Sequence, residues 1–145
     1  MHYEKSVDVQ APVDALWRAV TTVTEWPQWS PTIDEVVMLD GALGPGARVR
    51  VRQPKLRTVI YTVDDWQPDA SFSWTATTSG VRVHAIHEVR ATGDGSRLLL
   101  SIDMTGPMAP LLVPLIGRRT RRYADFESDG LRRFAERLAA GPHAG

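Results

Sequence analysis

Tyr3, Val7 and Val9 alternate with Glu4, Ser6 and Asp8, and Lys5 is the one interruption in the apolar row. A period of two sends successive side chains to opposite faces of a strand, so the segment reads as a half-buried strand. Pro12 suits the first turn of a helix, where its missing N–H costs no hydrogen bond. Val13, Leu16, Trp17 and Val20 give that helix an apolar stripe. Thr21, Thr22, Val23 and Thr24 are weak helix formers, which predicts that it is short. Trp26-Pro27-Gln28-Trp29-Ser30-Pro31 predicts a second brief helical turn, with two indoles that require burial.

From Ile33 to Thr105 the pattern is strand after strand. Ile33 to Leu39 is the first, and the glycines and proline of Asp40 to Gly46 turn the chain. Ala47, Val49, Val51 and Gln53 alternate with Arg48, Arg50 and Arg52. Thr58 to Trp66 follows. Phe72, Trp74 and Ala76 then alternate with serine and threonine, and Val81, Val83, Ala85, His87 and Val89 with a more polar row. Gly93-Asp94-Gly95 reads as a hairpin turn before Leu98, Leu100, Ile102 and Met104. From about Met108 to Ala139 the period changes. Leu112, Leu115, Ile116, Tyr123, Phe126, Leu131, Phe134 and Leu138 recur at spacings near 3.6, with Pro110 and Pro114 in the first turns. The order predicts an α+β fold in one domain over residues 1–140, with Gly141 to Gly145 a frayed tail.

Composition narrows the function classes. The 17 basic and 17 acidic residues cancel, so no global charge favours nucleic acid or an anionic surface. The absence of cysteine removes disulfides, thiolate catalysis and cysteine-ligated zinc. The N-terminus has no apolar leader core, and the apolar run Leu111 to Ile116 is too short for a membrane span. A soluble cytoplasmic protein without integral membrane association is expected.

The motifs, taken in order, resemble a known superfamily. They are Ala11-Pro12 leading to Trp17, Trp26-Pro27-Gln28-Trp29, Gly44-Pro45-Gly46, and Thr62-Val63-Asp64-Asp65-Trp66-Gln67-Pro68 with Phe72-Ser73-Trp74. His87-Glu88-Val89 with Gly95-Ser96-Arg97-Leu98, Gly106-Pro107-Met108-Ala109 and Gly130-Leu131-Arg132 complete the series. Together they resemble the START-like (SRPBCC) superfamily, which includes the major birch-pollen allergen and the bacterial polyketide cyclase/dehydrase family. The resemblance implies a helix-grip fold, a curved antiparallel sheet of about seven strands around a long C-terminal helix, with two short helices after the first strand. It also implies a cavity between sheet and helix.

Strand parity and helix phase then name the expected lining. From the strands come Val49, Val51, Gln53, Phe72, Trp74, Ala76, Val83, Ala85, His87, Leu98, Leu100 and Ile102. From the helix come Leu112, Ile116, Arg119 and Tyr123. The set is mostly apolar with a few polar groups, as small-molecule sites are.

Candidate chemistry is sparse. His84 and His87 are three apart on a strand and face opposite sides, so they cannot chelate one metal ion together. His87 is on the inward row, either a satisfied core histidine or a ligand contact and base. Adjacent Asp64 and Asp65 read as solvated carboxylates. Ser30, Ser71 and Ser73 lack a Gly-x-Ser-x-Gly context, and Gly41, Gly44 and Gly46 are turn residues rather than a phosphate loop. Arg118, Arg119, Arg121 and Arg122 read either as a solvated helix face or, by phase with Ile116 and Tyr123, as a run from which Arg119 dips inward to meet a carboxylate or enolate oxygen. Of the five tryptophans, Trp74 is the best candidate for the cavity.

The family's aromatase/cyclases typically carry arginine, serine and tryptophan on the central strand. Thr58 to Val63 lacks that set here, leaving Arg57 or Tyr61 as substitutes. Three functions fit these features. The chain is a carrier of a small hydrophobic, polyketide- or lipid-like molecule; or an acid/base enzyme that cyclises or dehydrates such a carbonyl compound, with His87, Arg119 and Tyr123 as candidates; or a ligand-free interaction module. No cofactor, metal or nucleic acid is expected, and a homodimer is possible.

Overall fold

A computed structural model describes residues 1–141. Of the expected tail, Gly141 closes the last helix at φ 77°, and residues 142–145 lie outside the described residues. The elements are β1 (His2–Val9), α1 (Val13–Thr21), a 3-10 turn (Val23–Glu25), α2 (Trp26–Trp29), β2 (Glu35–Met38), β3 (Arg48–Arg52), β4 (Val59–Gln67), β5 (Ser71–Thr78), β6 (Val81–Ala91), β7 (Ser96–Thr105) and α3 (Ala109–Ala140).

The strands form one antiparallel sheet of seven, ordered β1-β7-β6-β5-β4-β3-β2. β2 to β7 are a meander, and β1 returns to pair with β7, Tyr3 opposite Ile102 and Val7 opposite Leu98. β1 and β2 are therefore the two edges, and the connection through α1 and α2 carries the chain from one to the other. The 32-residue α3 packs on β1, β6, β7 and α1. This is the helix-grip arrangement.

One irregularity resets the sheet. Strict alternation places Val63 and Trp66 on opposite faces. A bulge between Val63 and Asp65 adds Asp64 as an extra residue, so Val63 opposes Trp74 while Trp66 opposes Phe72. Both apolar side chains thus join the core, and both aspartates stay exposed.

The two ends of the grip differ. At one end the layers are filled. Leu16, Val20 and Val23 are fully or almost fully buried beside Phe72, Leu98 and Leu131. Trp26 donates its indole N–H to the Ala19 carbonyl at 3.2 Å, which ties α2 to α1. Gly130 lets the Trp29 ring lie directly on α3; a Cβ there would sit 2.3 Å from two ring carbons. At the other end the β5–β6 hairpin meets the start of α3, where the Met108 N–H donates to the Gly80 carbonyl at 3.1 Å.

The β1–β7 edge carries a pH-dependent contact. His2 lies 2.6 Å from Asp103 and 2.9 Å from Glu4 through its two ring nitrogens. The Asp103 hydrogen bond first, then that from Glu4, raises its pKa above the ordinary 6.5. A raised folded-state pKa gives stabilisation that is complete below 6.5 and lost as pH rises through the folded value. In urea titrations the wild type is expected to exceed His2→Gln in stability at acidic pH, the gap closing in alkali. A gap that widens with rising pH would contradict this.

Candidate ligand-binding cavity

The unfilled end holds a cavity of about 360 Å³. Val51, Val59, Tyr61, Trp74, Val83, Ala85, His87, Leu100 and Ile102 form its sheet wall, and Leu112, Ile116, Thr120, Tyr123, Ala124 and Glu127 its helix wall. Trp26 and Ile33 close the inner end, while exposed Lys55, Arg57 and Ser79 stand at the rim. Short Val83 and Ala85 leave the space open where the longer Phe72 fills it further along the sheet.

Eleven of the sixteen residues expected at the lining meet here: Val51, Gln53, Trp74, Val83, Ala85, His87, Leu100, Ile102, Leu112, Ile116 and Tyr123. Val49, Phe72, Ala76, Leu98 and Arg119 do not border the space. The first four face inward as parity requires but are buried in close packing. Phe72, for example, lies against Trp17 and Trp66 with ring centroids 6.4 Å and 5.9 Å away. Arg119 is displaced by helix phase. Steps of four, three and four from Ile116 reach Thr120, Tyr123 and Glu127, which leaves Arg119 outside the row. The arginine anchor expected from sequence is therefore absent from the wall, and Thr120 occupies its place.

Several polar lining groups are already engaged. Tyr123 donates its hydroxyl to the Pro54 carbonyl at 2.7 Å, fastening α3 to the turn after β3. Gln53 donates to the Thr32 carbonyl at 3.2 Å, and Thr120 to the Ile116 carbonyl at 3.0 Å. These contacts hold the walls in place.

His87 is different. It is 3% exposed, stacked on Phe72 at 4.4 Å and edge-on to Trp74 at 5.4 Å. Its Nδ1 is buried without a hydrogen-bond partner among the described residues. Its Nε2 lies 3.9 Å from Glu127 Oε1, beyond hydrogen-bond distance. Glu127 projects from α3 into the same space with its side chain 18% exposed. Tyr61 stacks on Trp74 at 4.7 Å, and burial, aided by the nearby Glu127 charge, pushes its pKa above the ordinary 10. The phenol thus stays neutral and keeps its proton.

His84 faces away, as its spacing from His87 predicts. It lies 2.8 Å from the Thr75 hydroxyl and 3.2 Å from Asp64 on the other side of the sheet. Among the described residues no three His, Cys, Asp or Glu side chains cluster for a metal, and no helix is long and apolar enough to cross a membrane.

A family model described as "Polyketide cyclase / dehydrase and lipid transport" matches residues 1–139. The chain belongs to that family. Solved structures agree on the fold. The Zhui aromatase/cyclase from Streptomyces sp. R1128 superposes with TM-score 0.81 at 19% identity, covering 97% of this chain and 98% of that one. Ara h 8.0201 gives 0.74 at 16% identity, over 93% and 97% of the two chains. The di-domain ARO/CYC BexL from the BE-7585A biosynthetic pathway gives 0.68 at 14% identity, covering 96% of this chain and 50% of that one. At these identities the likeness concerns the fold. No curated protein matches by sequence. Membership of the polyketide cyclase/dehydrase family supports a ligand-binding or cyclase role.

Proposed function

We propose that the protein binds a small, mostly apolar molecule in the space between sheet and helix. The observation that carries this reading is the cavity of about 360 Å³ walled chiefly by aliphatic and aromatic side chains. Small-molecule sites span roughly 300 to 1,000 Å³, so the guest is compact. Trp74, Tyr61 and Trp26 offer ring faces, which favours a flat, conjugated molecule of polyketide-like type over a long acyl chain.

Titration with N-phenyl-1-naphthylamine tests the reading, since a guest beside Trp26 and Trp74 alters indole emission. Saturable quenching with one site per chain is expected. Val83→Trp, which places an indole in the space, is expected to weaken binding at least tenfold while far-UV circular dichroism is retained. Equal binding by wild type and a folded Val83→Trp would locate the probe elsewhere and remove the proposal.

A second reading rests on a separate observation. His87 and Glu127 share one largely apolar space, an arrangement suited to proton transfer in cyclisation or dehydration of a carbonyl compound. It requires the same binding step, so the titration bears on both. Loss of water from 4-hydroxy-4-phenylbutan-2-one to give the conjugated enone, abolished in Glu127→Gln, separates the enzyme from the carrier.

A further inference from the structure

A guest held in the cavity must match the polar groups of its wall as well as the apolar ones. His87 is a buried imidazole in that wall, and its two nitrogens differ. Nδ1 is enclosed and unpartnered among the described residues. A proton there would be a buried donor without an acceptor, and it would leave the Nε2 lone pair facing the Glu127 oxygen. The proton therefore belongs on Nε2, the nitrogen directed at Glu127.

The Nε2 to Oε1 separation of 3.9 Å is too long for a direct hydrogen bond and too short for two intervening atoms. One oxygen placed about 2.8 Å from each spans it. That oxygen must accept from the imidazole N–H and donate to the carboxylate. A carbonyl or ether oxygen can only accept; a hydroxyl does both. The surroundings are aromatic, with Phe72 stacked on His87, Trp74 edge-on to it, and Tyr61 stacked on Trp74.

Resting on the proposal that the cavity binds an apolar guest, we infer that His87 and Glu127 form a hydroxyl-recognition pair. The guest is then a compact aromatic or conjugated molecule whose buried end carries a phenol, enol or alcohol. Nε2–H donates to the hydroxyl oxygen, and the hydroxyl in turn donates its hydrogen bond to Glu127. The pair acts in specificity and requires no bond to be made or broken.

Three probes of nearly equal shape test this: 2-naphthol, 2-methoxynaphthalene and 2-methylnaphthalene, titrated by tryptophan fluorescence or calorimetry at neutral pH. A hydrogen bond to a charged group contributes enough for about a tenfold preference or more. The expected result is that 2-naphthol binds at least about tenfold tighter than either analogue, although it is the least apolar. His87→Phe retains the stacked ring, and Glu127→Leu retains bulk on a partly exposed helix position. Each is expected to reduce the preference to less than about twofold. If His87→Phe fails to fold, Glu127→Leu alone decides. Measurable binding of all three probes with no preference overturns the inference and leaves the binding reading intact. A preference that survives Glu127→Leu likewise overturns it. Failure of every probe to bind overturns both.

Discussion

Phe72→Ala is expected to lower stability by about 3–5 kcal/mol, the cost of emptying a fully buried aromatic site. The ring joins four aromatic neighbours, Trp17, Trp66, Trp74 and His87. It also separates the filled end of the grip from the hollow end. Its rigid partners, Trp17 on α1 and Trp66 beyond the bulge, cannot both collapse inward, so most of the void persists. For a chain of this size the fall in Tm is on the order of 10 °C or more. Because the void opens against an existing cavity, a small aromatic solute such as benzene is expected to recover part of the loss, as dry engineered cavities do. Thermal melts with and without benzene measure both effects. A loss below about 1 kcal/mol would mean that the wall between the two ends is not built as described.

Gly130 gives the second large effect, and here two magnitudes compete. In a helix interior alanine is favoured over glycine by about 1 kcal/mol. Against that gain stands the Trp29 ring, two carbons of which would lie 2.3 Å from the new Cβ. Overpacking a close-packed core costs typically about 1–3 kcal/mol and occasionally more. The ring cannot swing aside cheaply, since Trp26 and Phe134 flank it at 6.3 Å and 6.1 Å. An approach of 2.3 Å places the cost in the upper part of that range, so net destabilisation by roughly 1–2 kcal/mol is expected for Gly130→Ala, and distinctly more for Gly130→Val, whose branched methyls meet the same ring. Denaturant titration of the pair checks the order. Stabilisation by alanine would show that helix propensity outweighs the contact and that α2 sits loosely on α3.

Much of this architecture is legible in the chain. Alternation in Arg48 to Arg52 and in Val81 to Val89 marks both strands and their inward rows, because one face of each is buried and the other wet. The change to a 3.6 period after Gly106 marks α3. What alternation cannot reveal is how deeply an inward residue is packed. Val49, Phe72 and Leu98 have the parity of lining residues, but they lie inside the packed core cluster, and that depends on tertiary docking. The bulge at Asp64 is likewise invisible to a strict period of two. Tyr61, named from the sequence only as a substitute for the missing central-strand set, could also have been placed in the lining, since Val59, Tyr61 and Val63 continue one inward row. Glu127 is harder: an acid in a charged helix reads as solvated, and its spacing of four from Tyr123 is the single hint. Arg119 fails for a related reason. Two neighbouring residues on a helix compete for one face, and only the docking angle of α3 decides between them.

The division of the grip into a solid end and a hollow end has an evolutionary consequence. The residues that secure the fold and those that meet a guest overlap at Trp26, Ile33, Val51, Trp74, Ala85 and Leu100 and otherwise differ. Exchange of Val83, Leu112, Ile116 or Thr120 reshapes the chamber while the anchoring around Leu16, Leu98 and Leu131 is untouched. Such a scaffold can change its chemical preference by single steps without passing through an unfolded ancestor.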